Sequence, residues 1–257
     1  MNAASRAVST MGAMTPMSPA STRLLGLVGG TSWVSTLEYY RLINQGVNRC
    51  LGGVEFARLI IHSFNYGDMK RNNDAGLFDV TLRMVLSACE NMKQGGAEAI
   101  VFCASTMHLT ADPVTQHTGL PVIHIADATA DQILQSGAGT VALLGTKFTM
   151  QMDFFKAKLL ARGIAVIVPT PDEQEFIHDS IGGELAKGLA LPQTKERYLE
   201  IISRLAEEGA QGVVLGCTEM PLLIGPHDAG LEIFDTTKIH TDAVVAFTVS
   251  RVPQPCL

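Results

Sequence analysis

The sequence of 257 residues lacks a basic cluster and a long apolar run. Its 19 basic and 25 acidic residues give a net charge of −6, which argues against nucleic acid and anionic membranes as partners. No apolar run reaches the roughly 18 residues that a membrane-spanning helix needs. What is present, 47% hydrophobic and 17% charged residues, is ample material for a buried core.

Cofactor motifs are also missing. There is no CxxC, HxxxH or HExxH spacing for a metal, and the glycine pair Gly29-Gly30 lacks the GxGxxG spacing of a dinucleotide site. No P-loop and no pyridoxal-phosphate signature is evident, so we expect no cofactor. The cysteines are odd in number and widely spaced, which is more typical of a reducing cytoplasm than of a disulfide framework: Cys50, Cys89, Cys103, Cys217 and Cys256.

Residues 1–22 differ in composition from the rest of the chain. They are rich in Ser, Thr, Ala and Met, and they contain no acidic residue and a single arginine. Without an apolar h-region they do not match a targeting peptide. We expect a disordered N-terminal extension, or a true start at Met11, Met14 or Met17.

From Arg23 onward, short apolar runs alternate with amphipathic stretches. The apolar runs predict strands at 24–28, 57–62, 99–103, 122–125, 141–144, 165–168, 212–215 and 232–234. The amphipathic stretches predict helices at 35–49, 77–94, 128–135, 151–162, 175–187 and 195–208. Continuous apolar strands separated by helices predict an α/β fold in which parallel sheets are covered by helices on both faces.

The chain contains an internal repeat. Residues 96–108 read GAEAIVFCASTMH and residues 209–221 read GAQGVVLGCTEMP, and each is preceded by a glycine-ended strand, LLGLVGG and VALLGT. Gly29 lies 75 residues before Ala104, and Gly145 lies 72 residues before Cys217. The repeat predicts two similar domains, residues 23–125 and 126–257, around a pseudo-twofold axis and a shared cleft. A final helix from Ile239 can pack across onto the first domain.

Cys217 is the main candidate for chemistry. Ligands of parallel α/β sheets bind beyond the carboxyl ends of the strands, and Cys217 directly follows an apolar strand there. We expect backbone N–H groups and a helix start to lower its thiol pKa below about 8.5, so that the thiolate acts as a base or a nucleophile. The alternative is a buried, unreactive cysteine. Cys103 should point away from the cleft, because adjacent strand residues face opposite sides.

Polar residues surround both strand ends. Ser105 and Thr106 suit a carboxylate, although Ser and Thr are also ordinary helix caps. His108 could act as an acid or an orienting group, or be structural. The predicted substrate-binding residues are Ser105, Thr106, Thr218, Glu219, His108, Thr31, Ser32, Thr146 and Thr149. Glu219 or a nearby group is expected to exchange the proton of Cys217.

Five segments resemble the cofactor-independent aspartate/glutamate racemase family: LGLVGGTSWVSTLEYYRLIN, FCASTMH, HIADAT, LLGTKFTM and VVLGCTEMPLLI. The similarity is greatest to bacterial broad-specificity aspartate/glutamate racemases and runs from about Leu24 to Ser250. It implies two similar α/β domains with the active site between them, a homodimer, and two opposed thiols that exchange a proton at the α-carbon. Cys217 matches the second thiol. The C-N-T-x-H string of the first falls on residues 104–108, where Ala104 replaces the thiol and Ser105 the asparagine.

A second departure concerns the substrate. Family members that act on acidic amino acids commonly place a lysine in the D-E-x-x segment, and residues 172–176 contain none. Lys70 or Arg71 could supply a cation instead. The resemblance therefore implies a racemase or epimerase of a small amino acid, with weak or one-sided activity. The alternatives are a decarboxylase that uses one cysteine, a catalytically silent carboxylate-binding protein, and an alanine engineered to trap a ligand.

Overall fold

The computed structural model describes residues 22–252, so the expected disordered extension lies outside the described residues except for Thr22. The strands are β1 (Leu24–Gly29), β2 (Arg58–Ser63), β3 (Ala99–Phe102), β4 (Thr140–Leu144), β5 (Ala165–Ile167), β6 (Gly212–Leu215) and β7 (Glu232–Asp235). They form two parallel sheets with the strand orders β2–β1–β3 and β5–β4–β6–β7. The predicted α/β fold with parallel sheets is confirmed.

The helices cover both sheets. They are α1 (Trp33–Leu51), α2 (Tyr66–Asp74), α3 (Phe78–Gln94), α4 (Ala111–Thr118), α5 (Ile125–Ser136), α6 (Lys147–Gln151), α7 (Asp153–Leu160), α8 (Pro171–Gly183), α9 (Pro192–Glu207) and α10 (Thr236–Val249). Three 3₁₀ turns also occur in the described chain: Ser105–Thr110, Leu185–Lys187 and Met220–Leu222.

The predicted strand at 122–125 is wrong. Val122 forms only an isolated bridge with Ile100, and α5 already begins at Ile125. The reason is local capping: the side chain of His124 accepts a hydrogen bond from the backbone N–H of Ala126, which fixes the first turn of α5. An apolar run that looks like a strand is therefore the approach to a helix.

The two sheets repeat one register. Val28 pairs with Phe102 in the first sheet, and Leu144 pairs with Leu215 in the second. One residue beyond β3, the backbone N–H of Cys103 donates to the carbonyl oxygen of Val28 at 2.9 Å. In the second sheet, the backbone N–H of Gly216 donates to the carbonyl oxygen of Leu144 at 2.7 Å. The residues that follow, Ala104 and Cys217, consequently occupy equivalent positions at the carboxyl ends of β3 and β6.

The helices α5 and α10 each follow one sheet and pack on the other. Although α10 follows β7 of the second sheet, it packs against α1, and its side chains enter the core of the first sheet, with Val244, Val245 and Val249 beside Leu25 and Tyr39. In the opposite sense, α5 follows the first sheet and joins the core of the second, with Ile125, Ala130 and Ile133 beside Val141 and Leu143. With the division at residues 125 and 126, α5 is thus a helix of the second half, and α10 is the helix that crosses to the core of the other half.

The contact between α1 and α10 depends on a glycine. A Cβ placed on Gly46 would lie 2.5 Å from Cγ2 of Val245, which is far inside van der Waals contact. The absence of a side chain at Gly46 therefore sets the close approach of these two helices.

No helix within residues 22–252 combines the length and apolar character needed to cross a membrane. Cys89 and Cys103 are buried free thiols, and Cys217 is a partly buried one. Cys50 is disulfide-bonded, which differs from the expectation that the chain carries thiols without a disulfide.

Candidate active site

Loops at the carboxyl ends of the strands meet between the two sheets. The hydroxyl groups of Ser35 in α1 and Thr218 after β6 lie 2.6 Å apart, and the Ser32 hydroxyl is 3.5 Å from Oε1 of Glu219. On the other side, the 3₁₀ turn Ser105–Thr110 packs against α6. The strand ends of the first half therefore face those of the second, and several of the predicted polar residues lie where the two halves meet.

Local geometry explains the loop after β1. Gly30 has a φ of +89°, and a Cβ at this position would lie 2.1 Å from the carbonyl oxygen of Phe64, so only glycine fits. Ser32 then caps α1, because its hydroxyl accepts a hydrogen bond from the N–H of Ser35. This turn brings the Ser32 hydroxyl to the cleft.

Cys217 is hydrogen-bonded to the residue two positions ahead. Its Sγ donates to Oε2 of Glu219 at 2.9 Å, and the Thr218 hydroxyl donates to the same oxygen at 2.7 Å. Burial and the Glu219 carboxylate raise the pKa of the Cys217 thiol well above its usual value, against a smaller opposite effect of the N–H groups of Glu219 and Thr218. The free protein therefore holds Cys217 as a thiol.

The expectation of a lowered Cys217 pKa is thus wrong. After β6 the chain forms a turn and then only the short 3₁₀ turn Met220–Leu222, so no α-helix starts at Cys217 to stabilise a thiolate. The sequence pattern indicated a strand end correctly, but it gave no information about the desolvation of the sulfur or about the direction of the Glu219 side chain.

Two hydroxyl groups of the first half are buried without a partner. The side-chain oxygens of Thr31 and Ser105 have no solvent exposure and no hydrogen-bond partner within the described part of the chain. Buried hydroxyl groups are normally hydrogen-bonded, so these two retain the capacity to bond a further polar group. Ala104, Ser105 and Thr106 are all partly exposed.

His108 supports this loop rather than facing a ligand. It is 3% exposed, and its Nε2 accepts a hydrogen bond from the N–H of Ile125 at 3.2 Å. The proton must then reside on Nδ1, which lies 3.1 Å from the carbonyl oxygen of Ser105 and donates to it. Burial, together with His240 and His124, lowers the His108 pKa well below its usual value. The predicted contact with substrate is therefore replaced by an orienting role.

Thr146 and Thr149 occupy the equivalent loop of the second half. Thr146 caps α6 by accepting a hydrogen bond from the N–H of Thr149. Thr149 is 1% exposed, and its methyl group lies where a Cβ of Gly145 or Gly216 would contact it. Thr149 therefore packs against the backbone at Gly145 and Gly216, whereas Thr146 is partly exposed.

Cys103 is 1% exposed, in agreement with its expected orientation away from the cleft. Burial raises its pKa far above the usual range of a thiol. It is therefore a buried apolar residue and not a substitute for the thiol that Ala104 lacks.

The cations Lys70 and Arg71 form ion pairs within their own helix, α2. Lys70 lies 2.6 Å from Asp74, and Arg71 pairs with Asp68. All four side chains are exposed, so these pairs contribute little to stability. Both cations belong to the helix that follows the carboxyl end of β2.

The D-E-x-x segment begins α8. Glu173 caps this helix by accepting from the N–H of Thr170, and it also pairs with Arg204, so its role is structural. Glu175 pairs instead with Lys147 of α6, directly after the cleft residue Thr146. The sequence did not identify Lys147 as a residue near the site, because its proximity to α8 arises only from the tertiary fold. Ser35 was missed for the same reason.

Within residues 22–252 no group of three His, Cys, Asp or Glu side chains is arranged to hold a metal ion. Two wide depressions of about 720 and 490 Å³ lie on the surface, one along α9 between Pro192 and Glu207 and one beside His62 and Phe64. Neither is lined by Cys217 or Ala104. The site is therefore identified by its chemical groups and not by a large cavity.

Comparison with known proteins identifies a family. The family described as Asp/Glu/Hydantoin racemase matches residues 28–244. A candidate Asp/Glu racemase from Yersinia pestis, known as a crystal structure, is 39% identical with a TM-score of 0.84, covering 88% of this chain and 99% of that one. An aspartate racemase homologue from Pyrococcus horikoshii OT3 is 34% identical with a TM-score of 0.79, with the same coverage of both chains.

A curated relative is more distant. The glutamate racemase of Leptospira borgpetersenii serovar Hardjo-bovis (strain JB197) is 28% identical over 160 residues, which is 60% of this chain. The chain spans 58% of the length of that relative. The similarity to the two solved structures, in contrast, extends over nearly their entire length.

Proposed function

Because this chain belongs to the Asp/Glu/Hydantoin racemase family, we propose that it is a cofactor-independent racemase or epimerase acting at the α-carbon of a small amino acid. The observation that carries the proposal is the Cys217 thiol, which is hydrogen-bonded to Glu219 at a strand end facing the other half of the molecule. The names of the relatives, glutamate racemase and aspartate racemase homologue, support amino acids as the substrate class.

In the proposed reaction Cys217 is the base. Its thiol proton is released to solvent, and the sulfur then takes the proton from the α-carbon of the substrate. The electron pair of the broken C–H bond is delocalised into the substrate carboxylate. Hydroxyl and backbone donors of Ser105, Thr106 and Thr218 stabilise the negative charge that develops there. The buried, unpartnered hydroxyl group of Ser105 supports this assignment.

The opposite face of the substrate meets Ala104 in place of a second thiol. The equal registers of the two sheets support this pairing of positions. A methyl group cannot donate a proton, so solvent is the remaining proton source on that face. Loss of a positioned acid or base costs roughly 10²- to 10⁴-fold in rate. We therefore expect the exchange of the α-proton to be faster than inversion.

The remaining parts of the proposal concern organisation. They are a homodimer in the cytoplasm and two domains divided at residues 125 and 126, with α10 placed on the first domain. The family resemblance supports the homodimer, and the packing of α10 against α1 supports the placement of the last helix.

The test is proton NMR in D₂O with a panel of L- and D-amino acids, followed by chiral analysis. The α-proton signal of at least one amino acid should disappear with the wild-type protein and persist with Cys217→Ser. Exchange that continues unchanged in Cys217→Ser would exclude Cys217 as the base. No exchange with any amino acid would contradict a racemase and favour a decarboxylase with one cysteine or a silent carboxylate-binding protein.

The substitution Ala104→Cys extends the same experiment. It places a thiol on the second face, so the ratio of inversion to exchange should rise by about 10-fold or more. Ala104→Ser is the matched control, because it adds a polar atom of similar size without a thiol. A folded Ala104→Cys variant that exchanges the α-proton but shows no gain in inversion would contradict the assignment of Ala104 to the second face.

A further inference from the structure

Two acidic side chains are buried within the described chain, and their surroundings differ. Glu173 and Glu219 are each 7% exposed. Glu173 forms an ion pair with Arg204, as expected for a buried carboxylate. Glu219 forms no ion pair with any residue in the range 22–252. The buried acid outside the cleft is therefore compensated by a cation, and the one inside it is not.

The hydrogen bonds of Glu219 are unevenly distributed. Its Oε2 accepts from Cys217 and Thr218 at 2.9 and 2.7 Å, whereas the one contact of its Oε1 with another described residue is that with Ser32 at 3.5 Å. All three donors are neutral groups. A carboxylate can accept about four hydrogen bonds, so Oε1 retains capacity for a further donor. Burial of a charge is costly unless a cation compensates it, so a positively charged donor is the partner that Oε1 lacks.

We propose that Glu219 binds the α-ammonium group of the substrate through Oε1. This inference rests on the proposed function, and it names the residue that recognises the amino group of the substrate. The geometry supports it, because Oε2 of the same carboxylate is 2.9 Å from Sγ of Cys217. The ammonium nitrogen is bonded to the α-carbon, so its binding at Oε1 places the α-proton close to the sulfur.

The same contact would activate the base. In the free protein the Glu219 carboxylate contributes to the raised pKa of the Cys217 thiol. An ammonium group at Oε1 compensates this negative charge and lowers the pKa of the thiol. Cys217 then loses its proton most readily when an amino acid is bound, which protects the free protein from reactions of an exposed thiolate.

The test compares pairs of ligands that differ in the amino group. The probes are L-aspartate with succinate, L-glutamate with glutarate, and L-alanine with propionate, together with the amino acid that exchanges fastest in D₂O and its deaminated analogue. We expect Glu219→Gln to raise the KM for α-proton exchange by about 10-fold or more, since a charge-assisted hydrogen bond is lost. The inhibition constant of the deaminated acid should change by less than about 3-fold.

Two further variants separate charge from hydrogen bonding. Ser32→Ala removes the contact between Ser32 and Oε1 but retains the carboxylate, so the preference for the amino acid over its deaminated analogue should persist. Glu219→Asp retains the charge on a shorter side chain and should give an intermediate KM, which keeps the test informative if Glu219→Gln does not fold.

The outcomes distinguish this inference from the proposed function. If the wild-type protein exchanges the α-proton but Glu219→Gln weakens both members of a pair equally, or neither, Glu219 does not recognise the ammonium group and only the inference fails. If no amino acid exchanges its α-proton with the wild-type protein, the proposed function fails and the inference with it. A selective loss of amino acid binding supports both.

Discussion

At the scale of single residues, the position of a group and its chemical state have separate causes. The repeat was sufficient to locate Cys217, Thr218 and Ser105, because similar spacing along equivalent strands brings residues to equivalent strand ends. It could not show that Glu219 turns back to the sulfur, or that both nitrogens of His108 have protein partners. These features depend on side-chain directions and on residues distant in sequence, such as Ile125.

The raised pKa of Cys217 leads to a prediction about its reactivity. Only the thiolate reacts with iodoacetamide, so Cys217 should be alkylated slowly at pH 8 in the folded protein. Glu219→Gln removes the adjacent negative charge, which is one cause of the raised pKa, so the rate of alkylation should rise severalfold. Mass spectrometry of modified peptides over a pH series measures this. Cys89 is the internal control, because burial raises its pKa to about 12. Equal rates in both proteins would contradict the role of Glu219.

At the scale of helices and strands, continuous apolar runs predicted the buried strands well, whereas polar stretches did not reveal the helices that they form. The strands β1, β4 and β6 are fully or almost fully buried and were predicted within one or two residues. The helix α2, with the sequence YGDMKRNND, buries only Met69 and has no apolar face that a sequence pattern could reveal. The helix α6 has five residues, too few for a periodic signal.

The close contact between α1 and α10 predicts the effect of Gly46→Ala. Alanine is the better helix former by about 0.5–1 kcal/mol, but its Cβ would lie 2.5 Å from Val245. Overpacking costs about 1–3 kcal/mol, so Gly46→Ala should lower the free energy of unfolding. The matched control is Gly182→Ala in α8, where a Cβ meets nothing within 4 Å. Urea denaturation should show that this control is neutral or stabilised; equal effects of the two substitutions would contradict the packing argument.

At the scale of the whole molecule, a buried histidine cluster joins the two halves. His108 follows β3, His124 precedes α5, and His240 belongs to α10, with ring centroids 4.7 and 5.3 Å from His108. His240 donates from Nε2 to the carbonyl oxygen of Ile123, and its Nδ1 accepts from the Tyr39 hydroxyl, both at 2.8 Å. A neutral His240 ring forms both hydrogen bonds, and protonation of Nδ1 would break the one from the Tyr39 hydroxyl.

This cluster predicts loss of stability in mild acid. Burial lowers the pKa of both His124 and His240 from 6.5 to about 4. Between these values the unfolded chain binds more protons than the folded one, so the free energy of unfolding should fall by a few kcal/mol as the pH decreases from about 6.5 to 4. His240→Gln retains a donor and an acceptor without titrating, and it should reduce the slope. His117→Gln is the exposed control. Urea denaturation at several pH values measures how the free energy of unfolding depends on pH. Identical slopes in the wild-type protein, His240→Gln and His117→Gln would refute the prediction.

The packing of α10 on the first sheet has a consequence for synthesis on the ribosome. The strands of the first sheet emerge early, but their apolar surface around Leu25 and Tyr39 is completed by Val244, Val245 and Val249. These valines are translated more than a hundred residues after β3. The first half therefore cannot complete its core while it is the only part outside the exit tunnel, and its folding must wait for α10. Folding of this chain should be largely post-translational, in contrast to proteins whose N-terminal domains fold first during translation.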